Sequence, residues 1–368
     1  MIQWREGRVV MARREWQGAL ELDVDVYDAG AGAWVTCRAL AYPALVGRPQ
    51  PGELVLLNTT ALARGLGTGG YALVVARPAR LPDDVPLGPG HLVKARYTPQ
   101  QVMVLGADEQ ESPHHDVLAD ADDLSGLPVV VADLHSSLPA VIAGVRARRP
   151  DARVVHVMTD GGALPAWFSR TIAGLREAGW LAATVTVGQA FGGDLEAVSV
   201  HSGLLTARLV LGADVAVVAQ GPGNLGTGTR WGFSGVAAGE AINAAGVLRG
   251  RPVACLRVSA ADPRERHRGV SHHSLTAYGR VALLPADVVV PLLPGAFGES
   301  VRRQAAALGE PPGRHRLVEM PTDGLRAALE TSPVRLTTMG RDLDADEPAF
   351  LSAAAAGRHA ATLTPTSP

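Results

Sequence analysis

The chain has 368 residues, a formal charge of −2, 47% hydrophobic residues and 4% aromatics. That length predicts two domains, with cores filled by Ala, Val and Leu rather than by rings. The balanced charge excludes the basic field of a nucleic-acid binder, and two distant cysteines, Cys37 and Cys255, exclude a disulfide framework or a zinc–thiolate cluster. No apolar run reaches the roughly 18 residues of a membrane span and no secretory leader pattern is present, so the expected setting is cytoplasmic, away from membranes.

In chain order, residues 1–105 predict short strands. "RVVMAR" (8–13), "GALELDVDVY" (18–27), "AWVTCRALAY" (33–42), "GELVLLNTTA" (52–61) and "GYALVVARPA" (70–79) alternate with turn signals such as "GRPQPGE". Leu20, Leu22, Val24 and Val26 alternate with Glu21, Asp23 and Asp25, one face inward and one outward. The expectation is a small all-β, barrel-like domain. Residues 106–126 hold seven Asp or Glu without an apolar period, which predicts a solvated acidic linker. From 127 to 345 the rhythm is strand, loop, helix: "PVVVAD", "ARVVHVMTD", "WLAATVTVG", "DVAVVAQ", "RPVACLRVS" and "PADVVVP" are Val/Ala strands between amphipathic stretches. They predict an α/β domain, a three-layer, mostly parallel sheet covered on both faces. Residues 346–368 are expected to be a frayed tail.

In an open parallel sheet, ligands bind outside the carboxyl ends of the strands. Four predicted strands end in unusual loops there. "PVVVAD" runs into Asp133, His135, Ser136 and Ser137; "VVHVMT" into Asp160, Gly161 and Gly162; "VAVVAQ" into the glycine-rich 221–229; "VACLRVS" into 262–274. The shared edge makes Asp133, His135, Asp160, His272 and His273 the candidate acid–base groups. Ser136 and Ser137 also suit a helix N-cap, and Gly161-Gly162 a tight turn.

The loop "GPGNLGTGTRWGFSG" carries Gly221, Gly223, Gly226, Gly228, Gly232 and Gly235. Gly221-x-Gly223-x-x-Gly226 follows a strand, as in dinucleotide sites. Pro222 stiffens the turn, however, Thr-Gly-Thr-Arg-Trp-Gly delays the helix, and no ribose-binding acid ends the next strand. Thr227 stands where a triphosphate loop needs Lys. NAD and ATP are therefore disfavoured. Exposed backbone N–H groups with Thr227, Thr229 and Arg230 predict a nest for a phosphate or carboxylate, and a small anionic ligand is the expected partner. The segment "ADPRERHRGVSHHS" adds Arg264, Arg266 and Arg268 as anion clamps, with His267, His272 and His273 as proton carriers or metal ligands.

A divalent metal is left open, with Asp133, His135 and His272 as candidate ligands. Asp133-x-His135 is similar to the Asp-x-His of metallophosphoesterases, but the other segments of that family's motif set are missing. A homo-oligomer is left open as well.

Six stretches together resemble the bacterial family catalogued as domain of unknown function 3866. They are "LLNTTALARGLGTGGY" (56–71), "DLHSS" (133–137), "MTDGGALP" (158–165), "GDLEAVSVHSGLLTA" (193–207), "GPGNLGTGTRWGFSGVAAGEAINA" (221–244) and "ADPRERHRGVSHHS" (261–274). The resemblance implies one recurring two-part unit and supplies no activity, so the chemistry rests on the residues. "GLGTGGY" (65–71) echoes "NLGTGT" (224–229), and a hairpin turn is the expected role of the first copy. The residues predict an enzyme, a hydrolase or group transferase, acting on a small anionic or phosphorylated substrate. The alternative is a non-catalytic metabolite-binding or regulatory module with the same pocket. Several proton carriers beside the anion donors favour the enzyme.

Overall fold

The alternation at Leu20–Val26 closes a barrel. A computed structural model describes residues 1–28, 30, 32–65, 69–84, 88–311 and 314–364. Strands β1 (Trp4–Trp16), β2 (Ala19–Asp28), β3 (Ala33–Ala41), β4 (Leu54–Asn58) and β5 (Ala72–Ala76) form a closed barrel in the order β1-β2-β3-β5-β4. Val9, Leu20, Leu22, Val24, Val55, Leu57 and Val74 fill it. Gly7 lies where β1 must approach β2: a Cβ there would meet Val24 Cγ1 at 2.5 Å. The acids expected to face outward are met by arginines, with Arg13 2.7 Å from Asp23 and Arg38 3.7 Å from Glu21. Of the two Leu-Gly-Thr-Gly copies, the first includes 66–68, which lie outside the described residues.

The second unit is built on eight strands. These are β6 (Pro128–Val131), β7 (Val154–Thr159), β8 (Ala183–Thr186), β9 (Leu195–Glu196), β10 (Val215–Gln220), β11 (Arg251–Cys255), β12 (Asp287–Leu292) and β13 (Arg316–Pro321). Their order is β9-β8-β7-β10-β6-β11-β12-β13, and every pair is parallel. Consecutive residues of β6, Val129, Val130 and Val131, are fully buried, so both faces of the sheet are covered. The covering helices are α1 (Leu138–Arg148), α2 (Arg170–Glu177), α3 (Val200–Leu205), α4 (Ala237–Val247), α5 (His272–Thr276), α6 (Gly295–Ala306) and α7 (Glu347–Leu363). The chain leaves β6 toward β7 on one side and leaves β10 toward β11 on the other. The adjacent carboxyl ends of β6 and β10 therefore form a topological switch point, the place where open parallel sheets bind ligands.

Two stretches expected to be loose are packed. Chain compactness divides the molecule into Met1–Gly88 with Ala95–Val102, and Pro89–Lys94 with Met103–Pro368. The acidic segment 106–126 therefore belongs to the second unit. It buries Ala107, Leu118 and Leu124, and it donates from Ala107 N to Glu196 O and from Leu124 N to Leu248 O. Its acids also serve the backbone: Glu109 accepts from Gly106 N and from His91 N. Charge density read as solvation misses such local acceptors.

The segment beginning at 346 is likewise structure through 364. Helix α7 buries Phe350, Ala353–Ala356 and Ala360 against the sheet core. Its small side chains let α7 cross α1 backbone to backbone. A Cβ on Gly144 would fall 1.9 Å from Ala354 O, and one on Gly357 would fall 1.9 Å from Val141 O. Gly357→Ala is expected to lower stability by about 1–3 kcal/mol through overpacking. Gly226→Ala, whose nearest new neighbour is 3.9 Å away, is the comparison. Urea unfolding of both variants checks this, and equal midpoints would mean the helix crossing relaxes freely.

Candidate functional site

At the switch point the chain puts an acid directly after an apolar strand. Asp133 follows β6, is buried, and its carboxylate lies 3.2 Å from His273 Nδ1 and 3.6 Å from Arg257 Nη1. A carboxylate only accepts, so with the His273 proton on Nδ1 this bond is made and Nε2 keeps its lone pair. Arg257 Nη1, which can only donate, lies 3.1 Å from the same Nδ1 and forms an ion pair with Asp133. Burial pushes the Asp133 carboxyl up. The His273 hydrogen bond and the Arg257 charge outweigh that, and it is held below its ordinary value.

His273 lies in the first turn of α5, capped by Ser271, whose Oγ accepts from His273 N. The Ser271 hydroxyl also meets His267 Nδ1 at 2.8 Å. His267, His272 and His273 thus gather on the loop after β11, with ring centroids 4.5–5.0 Å apart. Each offers a ring nitrogen, and these atoms lie within 4.8 Å of one another. His272 Nε2 is buried without a hydrogen-bond partner. Burial, with help from neighbouring positive charge, pushes His267 down to about 3 and His272 down to about 4, so both rings are neutral near pH 7.

The glycine-rich loop reaches this cluster through an aromatic. Gly226 and Phe233 form an antiparallel bridge, Ser234 N donates to Leu225 O, and Thr227 N donates to Gly232 O. The result is a small hairpin, and it delivers Phe233 onto His273, stacked at 3.8 Å with planes 7° apart. The Thr227 and Thr229 hydroxyls bond each other at 3.0 Å, and Gly232 N donates to Thr229 Oγ1. These hydroxyls close the hairpin, in contrast to the ligand-binding role expected of them. Only Gly223 and Gly228 of the six glycines have positive φ. Most of the others permit close approach: a Cβ on Gly221 would meet Ala163 O at 2.3 Å, on Gly232 Thr227 Oγ1 at 2.0 Å, and on Gly235 the Asp133 Cβ at 2.9 Å. At the hairpin tip, a Cβ on Gly228 would lie 3.6 Å from Arg266 Nη2. Arg266, Arg268 and Arg230 are exposed.

Other expected members face elsewhere. His135 follows Asp133 by two residues, yet its Nε2 lies 2.7 Å from Ser169 Oγ and its Nδ1 3.3 Å from Gln220 O. Burial pushes it down to about 4, and it packs beside the fully buried His156, whose ring nitrogens have no partner. The set Asp133, His135 and His272 is therefore not one ligand cluster. The Asp160 carboxylate turns to the 188–189 turn and accepts from Gln189 N at 2.8 Å. Gly161 and Gly162 let this loop approach its neighbour, since a Cβ on either would strike Gln220 Oε1 or Gly221 O. Ser136 Oγ donates to Thr338 Oγ1, and Ser137 makes no capping bond. Arg264 is bound by Asp262 through both Nε and Nη2, at 2.9 and 2.8 Å, so it is occupied as an anion clamp. Arg257 and Phe233 were missed by sequence reasoning. An Arg directly after the apolar "VACL" was a signal for the first; nothing local announces that Phe233 stacks on a histidine.

A family model described as protein of unknown function (DUF3866) matches residues 38–357. The chain belongs to the DUF3866 family. Its model spans the four strand-end loops and the histidine cluster, so these are parts of the family's own region. No curated protein and no solved structure matches the chain. Among the described residues, no helix is long and apolar enough to cross a membrane.

In this DUF3866 chain, Asp133 and Arg257 have side chains about equally withdrawn from water, 4% and 8% exposed. Asp133→Ala would leave a buried guanidinium unpaired and is expected to cost about 3–5 kcal/mol. Asp133→Ala combined with Arg257→Met is expected to recover most of that loss in urea unfolding. A double variant as unstable as the single one would show that the two charges are not coupled.

Proposed function

We propose that the chain is an enzyme, a hydrolase or group transferase, acting on a small anionic substrate at the carboxyl edge of its parallel sheet. One observation supports this reading: a buried carboxylate lies against His273 inside a group of three imidazoles at the carboxyl edge of the sheet. A binding module needs donors for its anion, but it has no use for an oriented imidazole cluster. In this reading the anion is met by the exposed Arg266 guanidinium, whose Nη2 lies beside the Gly228 backbone at the hairpin tip.

A panel of phosphate monoesters, phosphodiesters and carboxylic esters tests the reading, with thermal shift run in parallel. Arg266→Ala is expected to raise KM about tenfold, the loss of one charge-assisted contact, with the melting temperature unchanged. His272→Gln is expected to lower kcat by about 10²-fold or more. Ligands that stabilise the protein without turnover would instead support the metabolite-binding module.

A further inference from the structure

The cluster at the 262–274 loop has a feature that proton transfer leaves unused. His267 Nδ1 is engaged by Ser271 Oγ at 2.8 Å, and His273 Nδ1 by the Asp133 carboxylate at 3.2 Å. Both rings are thereby held by one nitrogen. The third ring, His272, has its Nε2 buried and without a partner. A buried imidazole nitrogen left unpaired loses hydrogen-bond energy unless something else takes its lone pair.

We propose that His267, His272 and His273 together bind one divalent transition-metal ion of the zinc class through their ring nitrogens. Asp133 and Ser271 serve as the outer partners that orient two of the three ligands. This deepens the enzyme reading at the same site.

The ligand chemistry selects the metal. Three imidazoles without a carboxylate suit Zn, Co, Ni or Cu and give Mg or Ca nothing to hold. Tetrahedral coordination at about 2.0–2.1 Å uses three protein nitrogens and leaves one position for water or substrate, the arrangement of catalytic rather than structural zinc sites. The candidate nitrogens already lie within 4.8 Å of one another, so ångström-scale turns of the rings bring them onto one ion. An Asp that accepts from the far nitrogen of a ligating His is the usual outer partner of such sites, fixing both tautomer and ring plane. The stacked Phe233 holds the same ring from its face. Arg257 brings positive charge close, and the Asp133 carboxylate 3.6 Å away faces it. His135 lies outside the set, because both its nitrogens are engaged by Ser169 and Gln220.

The full chain, stripped with chelator and then titrated with Zn2+ and Co2+, is the test. About one ion per chain is expected by calorimetry and elemental analysis, with a tetrahedral visible band for Co2+ and no uptake of Mg2+ or Ca2+. His272→Gln is expected to abolish tight binding. Asp133→Asn is expected to weaken it about 10- to 100-fold, and His135→Gln to leave it unchanged. Zn2+ and Co2+ that fail to bind the folded wild type would overturn the proposal, as would binding undiminished in His272→Gln. The wild-type cobalt spectrum reports imidazole coordination even where a variant does not fold. Turnover of a panel substrate that survives chelation sinks the metal and keeps the enzyme. Stoichiometric metal without turnover of any substrate keeps the metal and sinks the enzyme.

Discussion

The hydrogen bond between Asp133 and His273 is the constraint around which the carboxyl edge is arranged. It joins residues 140 positions apart, from the end of β6 and from the first turn of α5, and it lies out of water. An ionised carboxylate in that position needs compensation, and His273 with Arg257 supplies it. Once Asp133 is fixed, the rest follows by exclusion. Gly235 must lack a side chain to pass its Cβ, Gln220 Nε2 donates to its backbone carbonyl, and Phe233 is set over the ring it orients.

The glycine-rich loop has a different role from the one its composition suggests. Glycines concentrated in one loop invite the idea of a flexible ligand cradle. Three of the six, Gly221, Gly232 and Gly235, instead sit where a backbone oxygen, a hydroxyl or a side chain comes closer than a Cβ allows. The loop is a tight hairpin closed by Thr227 and Thr229, and its product is the placement of Phe233. Its tip, at Gly228, lies beside the exposed Arg266. Close approach and ligand binding both select glycine, so residue type alone cannot separate them.

The same economy runs through the sheet unit. A core with few rings packs through small residues: α7 and α1 touch through Gly144 and Gly357 with alanines between. Asp133 lies in a bend and His135 begins a 3-10 turn, so these side chains are sent to separate neighbourhoods, one to the histidine cluster and one to Ser169 and His156. A site drawn from adjacent letters would have merged them.

Local physics in the sequence by itself determined the barrel strands, the parallel α/β unit, and the edge where polar loops collect. Period-two alternation and continuous Val/Ala runs decide which faces are buried, and a parallel sheet sends every strand-end loop to one side. The sequence also placed His267, His272 and His273 within a single short loop. It did not decide which of the edge residues meet. That His273 takes Asp133 while His135 takes Ser169, that Arg264 is held by Asp262, and that residues 106–126 and 347–363 are packed are outcomes of tertiary structure. Side-chain direction, burial and competition for hydrogen-bond partners depend on neighbours far away in the chain, and no local window contains them.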